Sequence, residues 1–221
     1  MYTALQSLCV SGAILLAGFY GCEKPEIPRV SEQNQNTESK VENEAAKSRQ
    51  QYPVATFAGG CFWGTEHVFG QVPGVRATAV GFMGGQTRNP SYKRVCTTNT
   101  NHAEVVQLRY DPEQISYEKL VKIFFKTHNP TTLNRQGPDV GTQYRSAIFY
   151  HDESQKQTAE KVKAAFDASG EFNNPIVTGI TRADTFWEAE AAHQDYFKKN
   201  PKHPACHAVD INEIKKILNE N

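Results

Sequence analysis

No C-x-x-C pair occurs in this chain. Its five cysteines, Cys9, Cys22, Cys61, Cys96 and Cys206, are too few and too scattered to staple a disulfide scaffold across 221 residues. Each thiol therefore needs its own explanation. Charge of one sign is lacking too: 24 lysines and arginines balance 24 aspartates and glutamates. No global field favours nucleic acid or an anionic membrane surface, so partners must be recognised locally. No internal repeat is visible, which excludes a solenoid. The chain length suits one substantial core.

A long membrane-spanning run is also lacking. The opening "MYTALQSLCVSGAILLAGFYGC", residues 1–22, is apolar but short and rich in small residues, and it reads as a secretory signal although no lysine or arginine precedes its apolar core. Its ending, "LLAGFYGC", resembles a bacterial lipoprotein signal, in which the cysteine, here Cys22, becomes the lipidated first residue. The expectation is an exported lipoprotein, anchored to a membrane in the periplasm or at the cell surface. Residues 23–51 mix charges, amides and two prolines with no aromatic residue. Such a segment cannot bury enough apolar area to offset its ordering entropy, so it reads as a flexible tether. The folded domain is expected over 52–221.

Within it, "PVATFAG" (53–59) reads as a strand closed by glycines, and the following residues place Phe62, Val68 and Phe69 at helical spacing. "GVRATAVGFMGG", "AEVVQLRYD", "YRSAIFYHD" and "NPIVTGIT" read as further strands. Ser116 opens a helix with Tyr117, Leu120, Ile123 and Phe124 on one face. "ESQKQTAEKVKAAFDAS" forms a charged amphipathic helix ended by Gly170, "EAEAAHQDYFKK" a helix stopped before Pro201, and the tail a short amphipathic helix. This order predicts a single α+β domain, a two-layer sandwich with a mixed sheet covered by helices. The segments 82–102 and 128–142 follow neither period. Loops of that length inside a compact domain are usually functional or disordered, and their glycine, aromatic and polar content favours function.

The stretch "FAGGCFWGTEH" (57–67) places Cys61 at a strand-to-helix junction. Peptide dipoles aimed at the sulfur there would stabilise the thiolate, and the flanking glycines permit close approach of another molecule. A buried cysteine beside core aromatics is the ordinary alternative, and the company Cys61 keeps decides against it.

Five blocks in order, "GCFWGTEHVFGQVPGV", "GFMGGQTRNPSYKRVC", "HAEVVQLRYDP", "RQGPDVGTQYRSAIFY" and "FWEAEAAHQDYF", resemble the peptide methionine sulfoxide reductase A family over about Tyr52–Val209. The resemblance implies repair of the S epimer of methionine sulfoxide, free or in proteins, by a thiol with no cofactor and no metal. It implies Cys61 as the nucleophile and Glu104, expected at the rim of an apolar pocket, as the proton donor. Tyr92 and Tyr144 would be hydroxyl donors to the sulfoxide oxygen, and Asp139 a polar group of the same pocket. Phe62 and Trp63 would wall in the substrate methyl group. Cys206, in "NPKHPACHAV", matches the position of a resolving thiol, so a Cys61–Cys206 disulfide reduced by thioredoxin or a thioredoxin-like protein is implied. Cys96 reads as structural, and a monomer is expected. Asn101 stands where the family pattern has glycine, and asparagine tolerates left-handed backbone. Ala205 replaces a common aromatic before Cys206.

Other chemistries fit less well. A papain-like hydrolase would need C-G-[SA]-C-[WY], and "GGCFW" lacks the first cysteine. A zinc module could use His203, Cys206 and His207, but no second ligand cluster accompanies them. A surface adhesin with decayed reductase motifs is opposed by the presence of every matched functional side chain. His102, His151 and His193 read as local hydrogen-bond partners, and His67 as lying on an exposed helix face.

Overall fold

The computed structural model describes residues 52–203 and 211–219. The expected signal and tether, with Cys9 and Cys22, and the expected resolving residue Cys206 lie outside them.

Alternation along the strands sorts side chains onto two faces. In β1 (Val54–Gly59), Ala55 and Phe57 enter one apolar cluster and Ala58 another. In β3 (Ala103–Tyr110), Val106 and Leu108 join the first and Ala103 and Val105 the second. In β6 (Ser146–Tyr150), Ile148 takes the first face while Ala147 and Phe149 take the second. The first face is built of larger side chains and receives helices. The second is partly covered by Ala183 and Phe186 from an irregular segment.

With β2 (Val75–Met83), β7 (Gly179–Arg182) and β8 (Trp187–Glu188), these strands form one six-stranded sheet in the order β7-β6-β1-β3-β2-β8. Only the β6–β7 pair in it is parallel. The mixed sheet of an α+β domain is thus present, and the described residues fall in one compact unit.

Six α-helices are described: α1 (Phe62–Phe69), α2 (Tyr92–Thr97), α3 (Tyr117–Thr127), α4 (Glu153–Ser169), α5 (Tyr196–Lys199) and α6 (Ile211–Asn219). Helix α3 begins where the Ser116 hydroxyl accepts the Lys119 N–H at 3.2 Å, and it buries Leu120, Ile123 and Phe124 completely. Each such side chain removed from water contributes about 1.5–3 kcal/mol. Phe57 ties the layers together, its ring lying 5.1 Å from Phe124 and 5.3 Å from Phe69 of α1. Helix α4 is capped by Asp152 and closed by Gly170 at φ +71°. Among the described residues no helix is long and apolar enough to cross a membrane.

Several elements differ from the sequence expectation. The segment 82–102 contains α2, capped by Ser91. The segment 128–142 contains a two-stranded ribbon of β4 (Arg135–Gln136) and β5 (Asp139–Val140), and a 3-10 turn follows at Thr142–Tyr144. Of "NPIVTGIT", only the end from Gly179 pairs as strand, continuing to Arg182. The helix expected over 188–199 is cut down to α5. Trp187 pairs with Phe82 at the sheet edge, and the Gln194 amide occupies both backbone groups of Val80 at 2.8 Å. Asp195 then turns left-handed at φ +52°. Bonds to β2 outweigh the helical propensity of this stretch.

Candidate active site

The site begins where β1 ends. Gly60 has φ +93°, and a Cβ there would meet Cγ of Gln136 at 2.5 Å, so only glycine fits this turn. The turn delivers Cys61 to the N-cap of α1, 7 % exposed, with the positive end of the helix beneath it. The Thr65 N–H and hydroxyl both donate to the Cys61 carbonyl at 3.3 Å, closing the first helical turn.

Glu104 faces the same helix end. It pairs with Phe82 in the sheet, is 1 % exposed, and its Oε2 accepts the Phe62 N–H at 3.0 Å. The sequence placed this carboxyl at a pocket rim; it is instead buried. The same parity that points Val106 and Leu108 at the helices points Glu104 there as well.

Phe62 and Trp63 open an aromatic wall. Phe62 is buried against Phe82 (5.7 Å between ring centres) and Tyr92 (6.0 Å). Trp63 lies parallel to Tyr196 of α5 at 3.7 Å, and its Nε1–H donates to His193 Nδ1 at 3.2 Å. The His193 ring sits 4.2 Å from that of Tyr92. The imidazole therefore presents Nδ1 as an acceptor and is neutral in this arrangement. Burial pushes the His193 pKa down, opposed by Glu190.

Tyr92 starts α2, its N–H held by the Glu190 carboxylate at 3.1 and 3.3 Å. Tyr144 ends the 3-10 turn, its N–H donating to the Gly141 carbonyl. Both phenols are half-buried, and burial first, then the Glu104 charge, pushes their pKa values up. Both stay neutral O–H donors throughout the ordinary pH range. Asp139, half-buried in β5, adds negative charge near Tyr144. The Cys61 side chain acts on Tyr144 in the same sense.

Thus Cys61, Phe62, Trp63, Tyr92, Glu104, Asp139 and Tyr144, scattered over 84 positions of sequence from 61 to 144, are linked by contact or charge around one helix end. Cys206 lies outside the described residues, as does His207. His203 is described, and its ring meets Tyr196 edge-on at 5.4 Å.

The sequence reading missed some of this cluster. Cys96 follows Tyr92 by one helical turn, and its half-buried thiol interacts electrostatically with the Tyr92 and Tyr144 hydroxyls. Burial, then the Glu104 charge, pushes this thiol's pKa up, keeping it protonated. Ser91 before a helical i, i+4 pair was the available signal, but six residues are too few to show a period. Gln136, which locks the Gly60 turn, carries no local signal at all. The histidines serve as expected. Buried His102 accepts the Gly85 N–H at Nδ1 (3.1 Å) and bonds the Thr87 carbonyl through Nε2 (2.7 Å), and His151 bonds Thr56 at 2.8 Å. His67 is exposed, and Asn101 takes φ +58°.

Comparison with known proteins agrees with this chemistry. A relative from Methanoculleus marisnigri, named peptide methionine sulfoxide reductase MsrA, is 58 % identical over 145 residues, covering 66 % of this chain and 88 % of its own. A relative of the same name from Deinococcus radiodurans is 45 % identical over 190 residues, covering 86 % and 90 %. Among solved structures, reduced Mxr1 from Saccharomyces cerevisiae superposes with a TM-score of 0.67 at 39 % identity, covering 71 % of this chain and 91 % of its own. Methionine sulfoxide reductase A of Corynebacterium diphtheriae gives 0.66 at 38 %, covering 70 % and 77 %. Residues 53–221 match the family model described as peptide methionine sulfoxide reductase, and with the fold and the Cys61 site in agreement, the chain belongs to that family.

Proposed function

We propose that this oxidoreductase reduces the S epimer of methionine sulfoxide, free or in proteins, through Cys61. The thiolate attacks the electrophilic sulfur, and the oxygen leaves that sulfur only as it gains a proton. Glu104 supplies the proton. For this step the carboxyl must react as the neutral acid, the form a general acid needs. Tyr92 and Tyr144 donate hydrogen bonds to the oxygen as charge develops on it, the task of an oxyanion hole. Phe62 and Trp63 take the substrate methyl group and keep water from the sulfur. The protonated oxygen then passes as hydroxide to the Cys61 sulfur while the new sulfur–sulfur bond breaks with its electron pair on methionine, so methionine departs reduced and Cys61 is left as sulfenic acid.

Cys206 then resolves this intermediate. Its sulfur bonds to that of Cys61, the sulfenic oxygen leaves as water, and a thioredoxin-like dithiol reduces the disulfide back to two thiols. The contact that carries the whole reading is the Glu104 carboxyl against the N–H of the residue next to Cys61. Turnover on separated sulfoxide epimers, with mass spectrometry after one cycle, tests it. The expected result is reduction of the S epimer and a Cys61–Cys206 linkage, and activity surviving Cys61→Ser would overturn it. Cys206→Ser should abolish thioredoxin-dependent turnover yet keep one stoichiometric reduction.

Residues 1–22 support export with lipidation at Cys22, which would place repair outside the cytosol. Radiolabelled fatty acid incorporated by the wild type and lost in Cys22→Ala is the expected result; no label on the wild type removes the lipid reading.

A further inference from the structure

Helix α1 carries a second buried carboxyl, four residues past Phe62, that the chemistry above does not use. Glu66 is 4 % exposed, at a helix position that otherwise suits an apolar side chain, and burying a carboxyl there is costly unless both oxygens are engaged. Both are. Oε1 accepts the Thr78 hydroxyl of β2 at 3.1 Å, and Oε2 accepts the backbone N–H of Asp195 at 2.8 Å. Three separate elements, the helix behind Cys61, the sheet, and the elbow before α5, meet on one carboxyl.

The elbow is where that contact matters. Asp195 has φ +52°, a left-handed conformation that a non-glycine residue holds only when its surroundings determine it. One determinant is the Glu66 bond, and the other is Gln194, whose amide pairs with the backbone of Val80 like an added strand residue. The next residue, Tyr196, lies flat on Trp63 at 3.7 Å, with the ring planes 7° apart. A displaced elbow moves Tyr196 and leaves the outer face of the indole bare.

We propose that Glu66 is a positioning residue for the substrate pocket: by holding Asp195 it fixes Tyr196 on Trp63, and through Trp63 the aromatic wall that receives the sulfoxide methyl group. The proposal rests on Trp63 being that wall. Glutamine preserves the tie, since its carbonyl accepts the Asp195 N–H and its amide donates to Thr78, whereas alanine removes both bonds.

Kinetics driven by dithiothreitol test this without calling on Cys206. Glu66→Ala should raise KM for a methionine sulfoxide peptide by about fivefold, the worth of one aromatic pair, with kcat within about twofold. Glu66→Gln should restore both. In a Trp187→Phe background, where Trp63 is the remaining tryptophan, fluorescence should shift in Glu66→Ala and return in Glu66→Gln. Unchanged KM and emission in folded Glu66→Ala overturn the proposal, as does a fall in kcat alone. If Glu66→Ala does not fold, Gln194→Ala, which releases the same elbow without touching α1, must raise KM and shift the emission or the proposal fails. Trp63→Ala separates the two ideas. If it leaves KM unchanged, Trp63 is not the wall, and the fluorescence arm alone decides whether Glu66 sets the stack.

Discussion

The Phe62 N–H donates to Glu104 Oε2 across 3.0 Å, so the carboxyl that would protonate the substrate oxygen also fastens the first residue of the helix that Cys61 caps. Acid and nucleophile share one backbone anchor. A change at either end is felt at the other.

Glu104 can therefore be dissected by shape. Glutamine keeps an oxygen for the Phe62 N–H but cannot give up a proton, so Glu104→Gln should stay folded while the single-turnover rate falls about 10²–10³-fold, the range for a lost general acid. Glu104→Leu should lose comparable activity and also stability. Rapid-quench measurement of methionine formed per enzyme, beside thermal melts, distinguishes the two, and a Gln variant of unchanged rate would remove Glu104 from the chemistry.

Tyr92 and Tyr144 should each lower the first step by about 10²-fold when changed to phenylalanine, as for a single oxyanion donor. Burial pushes both phenols above their ordinary value of 10.0, so neither donor ionises as pH rises to that point. Ultraviolet titration should show less phenolate at pH 10 than exposed tyrosines would give, and the Tyr92→Phe difference spectrum should lack a transition there.

Acidification should loosen the aromatic wall. His193 accepts the Trp63 N–H only when unprotonated, and its pKa lies below the free value of 6.5 because it is partly buried, although Glu190, 4.0 Å away, opposes this. Above 6.5 the ring is neutral in folded and unfolded chains and the contribution is complete. As pH falls, the unfolded chain binds its proton first, and the contribution is lost down through the folded pKa. KM should rise over that acid window, and His193→Asn, which does not titrate, should flatten the profile.

Tyr117 offers a stability test remote from the site. Its hydroxyl is buried with no hydrogen-bond partner among the described residues. Tyr117→Phe removes that unsatisfied group and should stabilise the fold by about 1 kcal/mol, read from denaturant melts. Burial also raises the Tyr117 pKa above 10.0. The cost of the hydroxyl is constant below pH 10 and grows as pH rises toward the folded value, because the unfolded chain ionises first; the variant should lose less stability over that range.

How much of this was legible depends on whether the deciding interactions are local. Leu120, Ile123 and Phe124 lie on one helical face whatever surrounds them, and Ser116 caps them three residues away, so α3 could be read directly. The stretch 188–199 also carries helical composition, yet Gln194 bonds to Val80, 114 positions earlier, and the chain turns instead. Cys96 reached the site on a helix too short to advertise itself, and the carboxyl of Glu104 proved more deeply buried than its motif implied.

By itself the sequence determined the strand and helix periods, the glycine turn that exposes Cys61 to a helix end, and the kinds of side chain the reaction requires. Those properties reside in a few neighbouring residues and in their covalent chemistry. Only the tertiary structure decided that Glu104 meets the Phe62 N–H, that Cys96 joins the two tyrosines, and that Glu66 holds the elbow beneath Tyr196. Those contacts close loops of 42 to 129 residues between their partners where they are hydrogen-bonded to α1, and no local pattern encodes which distant groups the packed sheet brings together.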